Sequence, residues 1–294
     1  MIKFDNFDLL ESIQVALKKK GYTKPTPIQE QSIPILLEGK DLLGIAQTGT
    51  GKTAAFSLPI INFLGKNKVK MNSKRTRVLI LTPTRELASQ IDINIKSYSE
   101  GLGLKTKVIF GGVGAKPQIN ALYAGLDIVV ATPGRLLDHL NSGHIKFDQL
   151  DVFVLDEADR MLDMGFIHDV KKIMSKLPNK RQTLLFSATM PKDVEKLAKS
   201  LLKNPQKVEV TPESSTVEKI TQSVNILTRH NKLKLLEKVL KDEGIKSALV
   251  FSRTKHGADR IVRKLAQASI KAAAIHGNKS QNNRERALSR FRSG

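Results

Sequence analysis

From residue 41 onward, apolar runs of four to six residues alternate with stretches whose apolar positions recur at helical spacing. The runs at 41–46, 77–82, 106–110, 127–131, 151–155 and 182–186 are rich in Val, Ile and Leu and read as buried strands. Each is followed by a helical or turn-rich segment. That order predicts an α/β domain with a parallel sheet, whose ligands lie beyond the C-terminal ends of the strands. A second series follows, with strands at 221–227, 247–251 and 271–275 and helices near 230–241, 255–268 and 281–292. Between the two lies Thr211-Pro-Glu-Ser-Ser-Thr-Val-Glu-Lys219, polar and carrying proline, which reads as a linker. The predicted organisation is an N-terminal segment 1–32, an α/β domain 33–207, a linker 208–219 and a second α/β unit 220–294. A full domain of this kind needs about five or more strands. The second unit shows three, so an incomplete domain is expected there.

Composition narrows the partners. The chain has 294 residues, enough for two cores, and a formal net charge of +21. The charge is uneven: residues 221–294 hold 17 Lys and Arg against 5 Asp and Glu. A basic surface of this size implies a polyanion, and nucleic acid is the default. Cysteine is absent, which excludes a disulfide framework and a thiolate metal site and fits a reducing compartment. No apolar run approaches the roughly 18 residues of a membrane span, and the first residues are charged too early for a secretory signal. A soluble, cytoplasmic protein with no membrane partner is expected.

Two stretches carry the chemistry. The first is Ala46-Gln47-Thr48-Gly49-Thr50-Gly51-Lys52-Thr53, between a strand candidate and the start of a helix. In a strand–loop–helix of this type, backbone N–H groups and the helix N-terminus face a nucleotide's phosphates. Lys52 can reach the β- and γ-phosphates, and the Thr53 hydroxyl can sit on Mg2+. The usual pattern opens on glycine; Ala46 stands there instead. The second stretch is Asp156-Glu157-Ala158-Asp159, directly after the strand candidate Val152-Phe-Val-Leu155. An acid at a strand tip beside a phosphate loop is placed to hold the metal, which assigns Asp156 to Mg2+ and Glu157 to the attacking water.

Taken in order, the motifs resemble a DEAD-box RNA helicase of superfamily two, and the resemblance runs from Phe4 to Gly294. Arg253-Thr-Lys-His-Gly-Ala258 and His276-Gly-Asn-Lys-Ser-Gln281 look most like the RhlE-type branch. The resemblance implies two RecA-like domains, the second partial, a monomeric catalytic unit, and ATP with Mg2+ as nucleotide and cofactor. Gly21-Tyr-Thr-Lys-Pro-Thr-Pro-Ile-Gln29 is similar to the family's adenine-recognising Q motif. Gln29 would select adenine through its amide, Phe4 would either stack on the base or anchor the N-terminal segment, and Tyr22 would line the same pocket. Ser187-Ala-Thr189 would bond Asp159 and couple nucleotide state to RNA. Pro83-Thr84-Arg85, Gly111-Gly112 and Thr132-Pro133-Gly134-Arg135 all follow strand candidates and resemble the family's single-strand RNA track, which grips backbone rather than bases. Arg253, Thr254, Gln281 and Arg284 resemble the RNA contacts of the second domain. His276, a lone histidine, is assigned no catalytic role.

The family's later arginine-bearing motifs would lie beyond Gly294. An arginine finger is worth about three to five decades in rate, so this chain is expected to bind ATP and RNA but turn over poorly. The function expected of the intact protein is ATP-dependent local unwinding or remodelling of RNA, in ribosome assembly or RNA turnover. A non-catalytic RNA clamp is the first alternative and a DNA translocase of the same superfamily the second.

Overall fold

The computed structural model describes residues 2–210, 221–228, 231–242 and 244–293. The chain divides into two units, Met1–Ser214 and Ser215–Gly294.

The first unit is built on seven strands: β1 Leu42–Ile45, β2 Thr76–Leu81, β3 Thr106–Ile109, β4 Leu126–Ala131, β5 Val152–Leu155, β6 Gln182–Ser187 and β7 Gln206–Glu209. Its helices are α1 Glu11–Lys19, α2 Pro27–Leu37, α3 Lys52–Lys66, α4 Arg85–Tyr98, α5 Lys116–Tyr123, α6 Pro133–Asn141, α7 Ala158–Asp163, α8 Ile167–Met174 and α9 Lys192–Leu201. All paired strands are parallel, in the order β3-β4-β2-β5-β6-β1-β7. The continuous apolar runs follow from this arrangement, because a parallel sheet covered by helices is buried on both faces. Val78, Ile80, Ile128, Val130, Val152 and Val154 pack with Leu17, Ile33, Phe56 and Ile91 from α1–α4. Their neighbours Leu79, Leu81, Val129, Phe153 and Leu155 pack with Leu136, Met161, Ile173 and Leu197 from α6–α9 on the opposite face.

Two boundaries differ from the sequence expectation. Helix α2 continues through residue 32, so residues 1–32 do not form a separate segment. Asn62 in α3 accepts from the Leu10 amide and donates to the Asp8 carbonyl, which ties the N-terminal stretch to the domain core. At the other end, β7 runs to Glu209, two residues into the expected linker. It was not legible because Val208 is its one buried apolar residue and it lies at the sheet edge. The linker stretch Thr211–Lys219 lies outside the described residues.

In the second unit the expected helices are present as α10 Asn231–Leu240, α11 Lys255–Gln267 and α12 Gln281–Ser293. The expected strands at 221–227, 247–251 and 271–275 are not formed among the described residues. An apolar run becomes a strand only where a neighbour supplies the ladder and a second layer covers a face. Val224, Ile226 and Leu249 are exposed, and Phe251 is 94 % exposed.

Candidate functional site

The strand order divides the C-terminal edge of the sheet into two neighbouring halves. Strands β5, β6 and β1 lie side by side, with Leu155 opposite Leu185 and Ile45 opposite Ser187. The three chain exits that follow carry the acidic tip, Ser187–Thr189 and the glycine loop. Strands β2, β4 and β3 form the other half, with Leu81 opposite Ala131 and Ala131 opposite Ile109. Their exits carry Pro83–Arg85, Thr132–Arg135 and Phe110–Gly112.

In the first half, Ala46–Gly51 form the turn between β1 and α3, with Gln47, Thr48 and Gly49 exposed. Thr50 Oγ1 closes the turn on the Gln47 carbonyl at 2.7 Å. Gly51 caps α3 with φ +95°, a left-handed conformation, and a Cβ there would overlap Gln29 Nε2. The Gln29 side chain, 4 % exposed, is held at both ends: Nε2 donates to the Gly51 carbonyl at 3.0 Å, and Oε1 accepts from the Thr26 amide at 3.0 Å. A carboxamide offers two N–H donors and two lone pairs, so one of each remains for a ligand. Lys52 is buried and its Nζ donates to the Ala46 carbonyl at 2.9 Å. Thr53 follows in the first turn of α3, where backbone N–H groups have no intrahelical partner.

The acidic tip faces this loop. Asp156 is 2 % exposed, and its Oδ1 accepts from the Glu157 amide at 3.0 Å. Burial pushes its carboxyl up to about 6, against the pull of the Lys52 charge; Glu157 and Asp159 add to the rise. A buried acid held above its ordinary range, beside a lysine parked on a backbone carbonyl, suits a site completed by a cation and phosphate oxygens. Among the described residues no three His, Cys, Asp or Glu form a metal cluster. Mg2+ held by one carboxylate, a hydroxyl and nucleotide phosphates needs none. Glu157 sits at φ +53° as the cap of α7, and its carboxylate takes Arg160 Nη1 at 3.3 Å.

Asp159 is joined to the β6 exit by several bonds. Its Oδ2 accepts from Thr189 N at 2.9 Å and Thr189 Oγ1 at 2.8 Å, while its own amide donates to Ser187 Oγ at 3.2 Å. Ser187 Oγ donates to the Thr189 carbonyl at 2.8 Å. Partial burial opposes ionisation of Asp159, but the bonds from Thr189, Arg160 N and Ser187 outweigh it and hold the carboxyl below its usual range.

The aromatic residues are placed differently. Phe4 is 2 % exposed, edge-on to Phe7 and tilted against Tyr22 at 6.0 Å between centroids. It serves as the anchor of the N-terminal stretch, with little ring face left for a base. Tyr22 shares a 3.1 Å hydroxyl contact with Tyr98.

In the second half, Thr84 caps α4 by accepting the Leu87 amide, which sets Arg85 at the first helical position. Gly112 has φ +80°, and a Cβ on it would overlap the Arg85 guanidinium, so the loop and this arginine lie in contact. Arg135 Nη1 donates to the Val113 carbonyl at 3.2 Å, linking the first turn of α6 to the same loop. Pro133 opens α6, and the Thr132 amide donates to the Ile109 carbonyl.

In the second unit, Arg253 and Thr254 are exposed at the start of α11, where Thr254 Oγ1 accepts the Gly257 amide. Gln281 is buried, with Nε2 on Glu285, so it is not available as an RNA contact in this arrangement. Arg284 lies half-buried one turn along α12. His276 pairs with Asp259 at 3.1 Å, a structural contact.

Comparison with known proteins places these features. A family model described as DEAD/DEAH box helicase matches residues 26–197, and one for the helicase conserved C-terminal domain matches 231–294. The DEAD-box ATP-dependent RNA helicase RhpA of Helicobacter pylori is 40 % identical over 289 residues, covering 98 % of this chain and 58 % of the relative. DEAD-box ATP-dependent RNA helicase 20 of Arabidopsis thaliana is 44 % identical over 283 residues, covering 95 % and 56 %. The crystal structure of a DEAD box protein from Methanococcus jannaschii matches with TM-score 0.66 and 37 % identity, covering 100 % of this chain and 78 % of that one. The chain spans a little over half the length of these curated relatives.

Proposed function

This chain belongs to the DEAD/DEAH box helicase family, and from that premise we propose that its sheet edge binds ATP and RNA side by side and uses ATP hydrolysis to remodel RNA locally. The observation that carries the reading is the strand order, which sets the β5, β6 and β1 exits directly beside those of β2, β4 and β3.

In this reading the free donor and acceptor of Gln29 meet the adenine edge. The Ala46 amide is committed to the Ser187 carbonyl, so the amides of Gln47–Gly51 and the start of α3 cradle the triphosphate, and Lys52 exchanges the Ala46 carbonyl for phosphate oxygens. Thr53 and Asp156 would hold Mg2+, which supplies charge neutralisation on the phosphates. Glu157 orients the attacking water and takes its proton as the water oxygen bonds to the γ-phosphorus and ADP leaves with the bridging oxygen. To do so it exchanges the Arg160 contact, which lies near the surface. The Asp159–Ser187–Thr189 cluster, between the nucleotide loop and the acidic tip, gives the β6 exit a set of hydrogen bonds that can be redistributed when the γ-phosphate goes.

The RNA track of the first unit comprises Pro83, Thr84, Arg85, Gly111, Gly112, Thr132, Pro133, Gly134 and Arg135; in the second unit, taken by itself, Arg253, Thr254 and Arg284 are assigned as RNA contacts. Gln281 is left out because it is buried. Backbone amides, hydroxyls and guanidinium groups of this kind grip phosphate and sugar without reading sequence. We assign the chain to the RhlE-type branch on Arg253–Ala258 and His276–Gln281. Its place is taken to be cytoplasmic, acting as a monomeric unit on structured RNA of ribosome assembly or RNA turnover; the cysteine-free, basic composition supports this. The test is steady-state ATP hydrolysis with and without single-stranded RNA. RNA stimulation is expected; equal rates with and without RNA would count against the coupling.

A further inference from the structure

A buried polar chain lies behind the RNA half of the edge, outside every residue assigned above. His139, in the last turn of α6, and Gln118, in α5, are 3 % and 4 % exposed. Gln118 Nε2 donates to the Phe110 carbonyl at 2.9 Å, which fixes the orientation of its amide. Oε1 then faces His139 Nε2 at 3.2 Å and requires a proton there. The neutral ring is left with a bare Nδ1, which accepts from His144 Nδ1–H at 3.3 Å. Burial first, then His144 and Arg135, lower the proton affinity of His139 against the pull of Asp138, and so favour this neutral form.

The position of this histidine is informative. Pro133, Leu136 and His139 are the buried face of α6, where a third apolar residue would pack without any need for partners. A polar group in that layer costs free energy unless it is bonded, so it gives a specific geometry rather than bulk stability. One end of the chain is the carbonyl immediately before Gly111-Gly112. The other is the helix whose first turn is Pro133-Gly134-Arg135. Backbone bonds fix β3 and β4 as far as Ile109 and Thr132, and beyond that the loop and the turn are joined by side chains, Arg135 on the Val113 carbonyl at the surface and the Gln118–His139 pair behind.

We propose that His139 and Gln118 are positioning residues for the RNA track, holding the Gly111–Gly112 loop and the Thr132–Arg135 turn at one fixed spacing so that both meet the same RNA backbone. Neither touches RNA. The proposal rests on the reading of those loops as the track.

The test uses the whole chain with His139→Leu, Gln118→Met, the double variant and His139→Gln, each checked for folding by thermal melting. Two titrations are read: fluorescence anisotropy of a labelled oligouridine strand, and a fluorescent adenine nucleotide with Mg2+. Loss of the tie is expected to weaken RNA binding about three- to tenfold, the size of one or two hydrogen bonds, with nucleotide affinity unchanged. The double variant should bind no worse than the weaker single, since both cut one connection. His139→Gln, which keeps a donor, should recover most of the affinity. Unchanged RNA affinity in folded His139→Leu and Gln118→Met, or an equal loss for RNA and nucleotide, would overturn the proposal. If His139→Leu does not fold, Gln118→Met and His139→Gln decide between the same outcomes. Arg85→Ala separates the two layers of inference. If it binds RNA as the wild type does, the track itself is misplaced. If it weakens RNA binding while the His139 and Gln118 variants do not, the positioning role alone falls.

Discussion

Replacing Gly51 with alanine tests the nucleotide loop through a contact that the structure defines closely. The residue sits at φ +95°, where an L-residue costs about 1–2 kcal/mol. The new methyl would also overlap Gln29 Nε2 and lie 3.0 Å from Thr26 Oγ1. Gln29 is buried and bonded at both ends, so moving aside costs it about one further hydrogen bond, on the order of 1 kcal/mol. The ligand-free loop is expected to relax away from this conformation, so that restoring it on binding makes the sum, about 2–3 kcal/mol, appear as about a 30- to 150-fold loss of nucleotide affinity. Gly49→Ala provides the comparison, because Gly49 has φ +87° but nothing within 4 Å of its would-be Cβ. It should show the backbone penalty alone and bind several-fold better than Gly51→Ala. The assay is titration of a fluorescent adenine nucleotide with Mg2+, with melting curves taken in parallel. In a Gln29→Ala background the gap between the two glycine variants should shrink. Equal losses for Gly49→Ala and Gly51→Ala would refute the role given to the Gln29–Gly51 contact.

Other predictions follow from the same geometry. Asp156 has a folded-state proton affinity raised to about 6 from an ordinary 3.8, so its contribution favours the native state at low pH and is lost as pH rises through about 4 to 6. Without nucleotide, Asp156→Asn should gain stability over the wild type across that interval and level off near pH 7 at up to about 3 kcal/mol; a pH-independent difference in melting would contradict this. Thr189→Ala removes one of the two Thr189 groups that bond the Asp159 carboxylate, the hydroxyl, and leaves the backbone amide in place. It should leave nucleotide affinity within about twofold and lower RNA-stimulated hydrolysis by about one hydrogen bond's worth, roughly three- to tenfold; a full RNA stimulation would argue against coupling through this cluster. RNA affinity should fall by about 0.7 log units per phosphate contact for each tenfold rise in salt, and Arg85→Ala should reduce that slope by about one contact for every RNA sequence tried. A sequence-dependent loss would mean that Arg85 reads bases.

What was legible in the sequence follows from what each feature needs from the chain. The phosphate loop and the acidic tip are contiguous because a turn and a strand end each supply all their groups from a few successive residues. Five of the six expected strands of the first unit were legible because burial on both faces forces apolar runs; β3, at the sheet edge and only partly buried over Thr106–Val108, showed through Val108-Ile109-Phe110. Strand β7 escaped because one buried valine suffices at an edge. The expected strands of the second unit had the right composition, but residues such as Phe251 and Val224 remain exposed and without a ladder among the described residues. Phe4 illustrates a different limit: an isolated aromatic can anchor or stack, and only packing against Phe7 and Tyr22 decides. Half of the double commitment of Gln29 was hidden as well: Thr26 stands at the capping-box spacing, three residues before it, but Gly51 lies in the next loop of the sheet edge. The His139–Gln118 chain left a single trace, a histidine on the apolar stripe of α6, and its partner comes from another helix.

The central claim is that a nucleotide's phosphates are held between Lys52 and Asp156. It is tested most directly by titrating Lys52→Ala with a fluorescent ATP analogue in the presence of Mg2+, beside the wild-type protein. Loss of a charge-assisted contact should weaken binding about tenfold to a hundredfold or more; melting of the ligand-free protein is followed in parallel, because the substitution also leaves the Ala46 carbonyl and the buried Asp156 without this partner. Affinity equal to that of the wild type would contradict the account, since the phosphates would then have to lie elsewhere.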